Sequence, residues 1–186
     1  MSQEDMIKII EKLEKKKGKK EAVLEVGSVL DSLPSVYVEL KSSPVSVDIS
    51  EGFRASFSRL LVNEDNLGGL RAYVGKCSNY AERGRLDGFE VACWMRSVLQ
   101  ILDDEFMDWD SVGPTSVEVT FHEDLEDIDE IIKDVSDEAP PVRSSDIPDW
   151  VPEGYWWWSS PVRQDMSEEE KRTRLEYDHL DGVYDE

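Results

Sequence analysis

Apolar residues recur along this chain in two rhythms. Met6, Ile9, Ile10 and Leu13 fall at helical spacing and predict a helix over 3–17. Ser2 is its N-cap, Glu4 and Asp5 fill the first turn, and Lys15, Lys16 and Lys17 close it before Gly18, charges that suit the helix dipole. The same rhythm predicts a helix over 20–33 with Val26, Val29, Leu30 and Leu33 inward. Pro34 predicts its end, because the ring removes an amide hydrogen and crowds the preceding turn.

The rhythm then falls to two. Val36, Val38 and Leu40 alternate with Tyr37, Glu39 and Lys41, and Val45, Val47 and Ile49 alternate with Ser46 and Asp48. That pattern predicts a hairpin with one wet face, turning around Ser42, Ser43 and Pro44. Helical spacing returns after Ser50 with Phe53, Phe57, Leu60 and Leu61, and the stretch NEDNLGG breaks it. Leu70, Tyr73, Val74 and Cys77 predict another helix, interrupted at Gly75 and ended at Gly84. Asp87 and Glu90 form a capping-box pair, and the helix they open, through Leu102, is apolar on more than one face and so predicted central. Val117, Val119 and Phe121 alternate with Glu118, Thr120 and His122 as a third strand. Asp124 then caps a last helix carrying Leu125, Ile128, Ile131, Ile132 and Val135.

Three one-faced strands among helices predict an α+β fold, a small antiparallel sheet covered by helices on one face. The division follows: an N-terminal amphipathic helix over 1–18, a compact domain over 19–138, and an acidic, Pro- and Trp-rich C-terminal extension over 139–186 that holds five of the eight prolines. A short helix over 167–177 is predicted within that extension, opened by Ser167 and Glu168 to Glu170.

Charge changes the picture. The net charge of 186 residues is −21, yet residues 1–100 carry 15 acids and 15 bases, so the whole excess lies in residues 101–186 with 27 acids and 6 bases. A field of that sign repels nucleic acid and anionic membrane and draws basic surfaces. No apolar run reaches the roughly 18 residues of a membrane span, the N-terminus lacks a signal-peptide pattern, and two cysteines do not make a disulfide framework. The expectation is a cytoplasmic protein without direct nucleic-acid or membrane binding and without a cofactor.

Catalytic patterns are thin. Asp31 followed by Glu39-Leu40-Lys41 matches the acid and Glu-x-Lys of metal-dependent nucleases, where carboxylates hold the metal and lysine steadies the attacking water. DWDSVGPTSVEV, from residue 108, places a glycine where a calcium loop wants one, but Val112 and Val119 stand at two ligand positions. Asp103, Asp104, Glu105, Asp108 and Asp110 offer looser divalent-cation binding. Cys77 and Cys93 are too few and too far apart for zinc, and neither His122 nor His179 completes a nucleophilic unit.

Two features carry a binding function. Asp124, Glu126, Asp127, Asp129, Glu130 and Asp134 line a helix whose only base is Lys133, and an array of carboxylates imitates a phosphate backbone or complements a basic groove. The stretch PDWVPEGYWWWSSP holds Trp150, Tyr155, Trp156, Trp157 and Trp158, residue types that dominate interface hot spots. In an extended strap Tyr155 and Trp157 would face the domain, docking on the basic stretch 54–96, while Trp156 and Trp158 would face a partner able to displace the strap. Tyr177-x-x-Leu180 adds an adaptor-type tyrosine motif. The leading expectation is a non-enzymatic inhibitor or immunity-type protein that engages a basic protein partner such as a nucleic-acid enzyme, with DNA mimicry as a variant. The alternatives are a metal-dependent hydrolase using Asp31, Glu39 and Lys41, or a viral or mobile-element accessory adaptor acting through its acidic tail.

Overall fold

Val26, Leu30, Leu33, Tyr37 and Leu40 stand three or four residues apart, and that spacing carries one helix straight through Pro34. In the computed structural model, which describes residues 3–15, 18–42, 47–84, 88–112, 116–136, 138–139, 142 and 144–159, every regular element is helical. The order is α1 (Gln3–Glu14), α2 (Lys19–Ser42), α3 (Val47–Leu61), α4 (Leu67–Glu82), α5 (Phe89–Ile101), a π-helical turn (Leu102–Phe106), α6 (Trp109–Val112) and α7 (Ser116–Ser136). Two 3₁₀ turns follow, Ser144–Asp146 and Trp156–Ser159.

The expected α+β fold is therefore corrected: there is no strand and no sheet among the described residues. The stretches read as strands alternate, but they also satisfy a helical period, and neighbouring turns decide between the two. In a strand Val38 would share the buried face of Val36 and Leu40. In α2 it points outward and is 43% exposed, while Val36 is buried and Tyr37 and Leu40 are half-buried. The cost of Pro34, a missing amide hydrogen opposite the Leu30 carbonyl, is offset by the packing beyond it, where Val36 is buried and Tyr37 and Leu40 pack against the core. The third predicted strand fails in the same way. Val119 is 50% exposed, whereas Phe121, Leu125, Ile128, Ile132 and Val135 form one continuous buried stripe on α7. Asp124 is accordingly an interior residue of α7 and not its cap. Ser43, Pro44, Val45 and Ser46 of the expected hairpin, Asp87 of the capping box, the 167–177 helix and Tyr177-x-x-Leu180 lie outside the described residues.

α4 and α5 form the centre of the bundle. Both touch α2 on one flank and α7 on the other, while α1 lies across α3 and α2. Gly69 permits the close approach of α4 to α2, since a Cβ there would sit 2.6 Å from Val26 Cβ and 3.1 Å from the Ala22 carbonyl oxygen. α4 passes through Gly75 without interruption. A single apolar cluster runs from Met6 of α1 to Trp157 and Trp158 of the final turn. At the far end of α5, Phe106 meets Phe53 and Phe57 of α3 with ring centroids 6.3 and 6.1 Å away. No described helix is long and apolar enough to cross a membrane.

Asn66, 1% exposed, joins three helices. Its Nδ2 donates to the Leu13 carbonyl at the end of α1 and to the Leu60 carbonyl at the end of α3, both at 2.9 Å, and the residue itself opens α4. Helix-terminal carbonyls lack the usual intrahelical partner; the amide serves the Leu13 carbonyl, and it shares the Leu60 carbonyl with the Asn63 N–H at 3.4 Å. Replacement Asn66→Ala removes both donors at once. Equilibrium denaturant unfolding is expected to show a loss of about 1–3 kcal/mol, the cost of a buried acceptor left unpaired at Leu13. A loss under about 0.5 kcal/mol, the range of an ordinary surface change, would show that water replaces the amide there.

Candidate functional site: the aromatic strap and the acidic helix

Residues 144–159 run over the groove between α5 and α7 and end in the 3₁₀ turn that carries three consecutive tryptophans. A 3₁₀ turn does not send alternate side chains to opposite sides as an extended strap does. Trp157 and Trp158 both enter the core, at 3% and 6% exposure, while Trp150, Tyr155 and Trp156 are half-buried. The strap docks on its own domain as expected, but the division of its rings differs from the alternation an extended segment would impose.

A single hydroxyl receives both buried indoles. Ser97 Oγ, fully buried on α5, accepts the Trp157 Nε1–H at 2.9 Å and the Trp158 Nε1–H at 2.8 Å, and donates its own proton to the Cys93 carbonyl at 2.7 Å. One donor and two lone pairs are all that a serine hydroxyl has, so the group is saturated. Beside it Arg96, 4% exposed, donates from Nε and Nη2 to the two Asp129 oxygens at 2.7 and 3.1 Å and from Nη1 to Gln100 Oε1 at 2.9 Å. Its guanidinium lies 4.5 Å from the Trp157 ring, which covers it. Tyr155 stacks on Trp157 at 4.8 Å, Trp150 meets Trp94 edge to face at 6.3 Å, and Lys133 Nζ of α7 lies 5.2 Å over Trp156. Within the basic stretch 54–96, Arg96 lies against the aromatic strip.

Magnitude decides whether the strap is a removable lid. Each buried tryptophan withdraws roughly 150–250 Å² from water, which at about 25 cal/mol per Å² is roughly 4–6 kcal/mol per ring as an upper figure. Two rings together approach the roughly 5–15 kcal/mol that stabilises a whole domain. The 3₁₀ turn is a structural part of the bundle, and exposed charge pairs at about 0.2–1 kcal/mol each do not displace it.

The six carboxylates proposed from the sequence part company on α7. Glu126, Asp127, Glu130 and Asp134 are exposed, and Glu123 extends their row by a turn. Asp129 turns inward to Arg96. Asp124 is half-buried in the crease with α4, where burial first and then the Asp127 charge raise its carboxyl above the usual range against the pull of Arg71. α7 carries eight carboxylates and one lysine over 21 residues.

The metal candidates separate. Asp103 Oδ1 accepts the Trp109 indole N–H at 2.7 Å and lies 3.0 Å from His122 Nε2, Asp104 accepts from Gln100 at 3.0 Å, and Glu105 accepts from Lys41 at 2.8 Å. The π-helical turn fans these carboxylates toward four different elements, α6, α7, α5 and α2. Asp31, Glu39 and Lys41 share α2, where a rise of about 1.5 Å per residue sets Asp31 roughly 12 Å from Glu39 along the axis, and Asp31 accepts the Tyr73 hydroxyl at 2.9 Å instead. Of the calcium-loop stretch, Trp109–Val112 is helical and Ser116 opens α7, and 113–115 lie outside the described residues. No group of three or more His, Cys, Asp or Glu among the described residues is placed to hold a metal. Cys77 and Cys93 are free, buried thiols. Burial pushes Cys77 up to about 12 and Cys93 higher still, so neither is a thiolate near neutrality.

No protein-family model, curated protein sequence or solved structure matches the chain.

The Ser97 node yields a direct test. Ser97→Ala strands two buried indole N–H groups, and denaturant unfolding is expected to lose about 2–5 kcal/mol. Cys93, whose Sγ lies 3.4 Å from the Trp157 carbonyl oxygen, is expected to react faster with a thiol reagent at slightly alkaline pH in this variant than in the native chain. Unchanged stability together with unchanged Cys93 labelling would mean that the hydroxyl does not hold the strap.

Proposed function

We propose that this protein is a non-enzymatic, acidic binding protein of inhibitor or immunity type that engages a basic protein partner. The observation that carries the reading is the outer face of α7. Glu123, Asp127, Glu130 and Asp134 recur every three or four residues and are exposed, with Glu126 beside them, so carboxylates follow one another at about one per 5.4 Å turn. A row of that kind, rigid and fixed to a packed helix, complements a groove lined with Lys and Arg, and such complementarity acts mainly on association rate and selectivity. A nucleic-acid enzyme is the partner class with such a groove, and blocking it by imitating the phosphate backbone is the form of inhibition this face suits.

Supporting the row are aromatic rings. Trp156 keeps part of its surface in solvent beside Lys133 of α7, and Trp150 and Tyr155 are likewise half-buried on the strap. These supply the apolar anchor that a charged row lacks, while Trp157 and Trp158 contribute by fixing the strap. Buried free thiols agree with a reducing, cytoplasmic setting for this role.

The decisive experiment compares the native chain with a variant carrying Glu126→Gln, Asp127→Asn, Glu130→Gln and Asp134→Asn, each immobilised and exposed to cell extract, with the retained protein identified and its activity on nucleic acid assayed. The native chain is expected to retain a basic enzyme at low ionic strength, release it at high ionic strength, and inhibit it. The neutralised variant is expected to lose retention by at least about tenfold. Equal retention by both chains, or a retained partner whose activity is untouched, would remove the inhibitor reading.

A further inference from the structure

The crease between α1 and α2 opens into a cavity of about 260 Å³. It lies on the flank of the bundle opposite α7, and the α7 reading leaves it without a role. Ile9 of α1 and Val36 of α2, both buried, form its apolar floor. Lys8 and Lys12 reach it from α1, and Ser32, Ser35 and Glu39 from α2. Lys8 and Lys12 stand four residues apart and share a face, a like-charge pairing that weakens a helix taken by itself. The stripe Met6, Ile9 and Leu13 that packs α1 down asks for no such pair. Donors and acceptors meet in this crease. Ser32 Oγ gives its proton to the Val29 carbonyl at 2.6 Å, so toward the cavity it offers lone pairs alone. The Ser35 hydroxyl makes no hydrogen bond among the described residues and keeps its proton to donate. Lys8, Lys12 and Glu39 already interact within the protein. An ammonium has three N–H groups and a carboxylate about four acceptor sites, so such contacts leave capacity for a ligand.

That inventory selects its ligand. A simple anion meets Glu39 and the field of a molecule of net charge −21, and a simple cation meets two lysines. A molecule carrying both charges engages every polar group in the crease and, being neutral, is not repelled by the net charge. The volume falls just below the roughly 300–1,000 Å³ of sites for drug-sized ligands, so the occupant has about ten heavy atoms. The floor requires that part of it be aliphatic. We infer that the α1–α2 crease binds a free aliphatic α-amino acid, its carboxylate on Lys8, Lys12 and Ser35, its ammonium on Glu39 and Ser32 Oγ, and its side chain on Ile9 and Val36. α1 packs mainly on α3 and α2, and an occupant held from both sides of the crease ties α1 more firmly to α2. This goes beyond the α7 reading and does not depend on it.

The test titrates the isotope-labelled full-length chain with L-leucine and follows backbone amide signals. Saturable shifts are expected at Lys8 to Lys12 and Ser32 to Glu39, with a dissociation constant of order a millimolar, the strength that about nine heavy atoms supply. Isovalerate lacks the ammonium and isopentylamine lacks the carboxylate. Each is expected to bind the native chain about tenfold more weakly, the worth of one lost charged group. Glu39→Gln is expected to erase the preference for leucine over isovalerate, and Lys12→Gln the preference over isopentylamine. Leucine is also expected to raise the thermal midpoint of the native chain. The absence of saturable shifts with leucine well above the millimolar range, shifts confined to another face, or isovalerate binding the native chain as tightly as leucine would each overturn the inference. So would preferences that neither substitution alters.

Discussion

A guanidinium removed from water at the centre of a helical bundle leaves its surroundings little freedom. Arg96 carries a charge that the interior tolerates only with a counter-charge and full hydrogen bonding, because an unpaired buried ion costs several kcal/mol. Asp129 supplies both oxygens from α7, Gln100 takes the remaining edge, and Trp157 closes the face. Three separate stretches of chain thereby become fixed relative to one another: α5, α7 and the strap. Ser97, one residue on, repeats the logic with neutral groups, since its hydroxyl accepts exactly as many indole protons as it has lone pairs to offer. Around these two side chains the direction of α7 is set, and with it the direction in which the carboxylates on its far face point.

How much of this was legible in the sequence depends on the period. The stripes Met6–Ile9–Leu13, Phe53–Phe57–Leu61 and Leu70–Val74–Cys77 are buried where helical spacing puts them, and the chain's most apolar helix is at the centre. Val36–Val38–Leu40 and Val117–Val119–Phe121 misled, because five residues of alternating apolar character fit a strand and also fit a helix that leaves the middle residue wet. What separates the two is context beyond the window: Val26 to Leu33 on one side and Leu125 to Val135 on the other extend the helical stripe without a phase break. Pro34 pointed the wrong way for a local reason, since its cost is counted within a turn and its compensation is the core packing of Val36, Tyr37 and Leu40 beyond it.

The candidate surface was legible in outline and not in detail. Composition located the excess charge in the second half of the chain, and the exposed row Glu126, Asp127, Glu130 and Asp134 lies there. It did not reveal that Asp129, in the middle of that row, faces inward, because the signal for that is the buried Arg96 thirty-three residues earlier and no local pattern links the two. Nor does a serine inside an apolar helix announce that it will receive two indoles. Clustered tryptophans were a fair indication of docking; the choice of Trp157 and Trp158 as the inward pair follows from the 3₁₀ geometry of the turn.

The distance along the chain between Ser97 and the indoles it binds has a bearing on biosynthesis. Sixty residues separate Ser97 from Trp157, and at about 5–20 residues per second a translating ribosome needs roughly 3–12 seconds to supply them. For that interval the nascent α5 lacks the strap, and until Ser136 has been added it lacks a complete α7 as well. A chain built this way passes through a sticky, half-roofed stage on every round of synthesis, which is the kind of stage that holdase chaperones recognise.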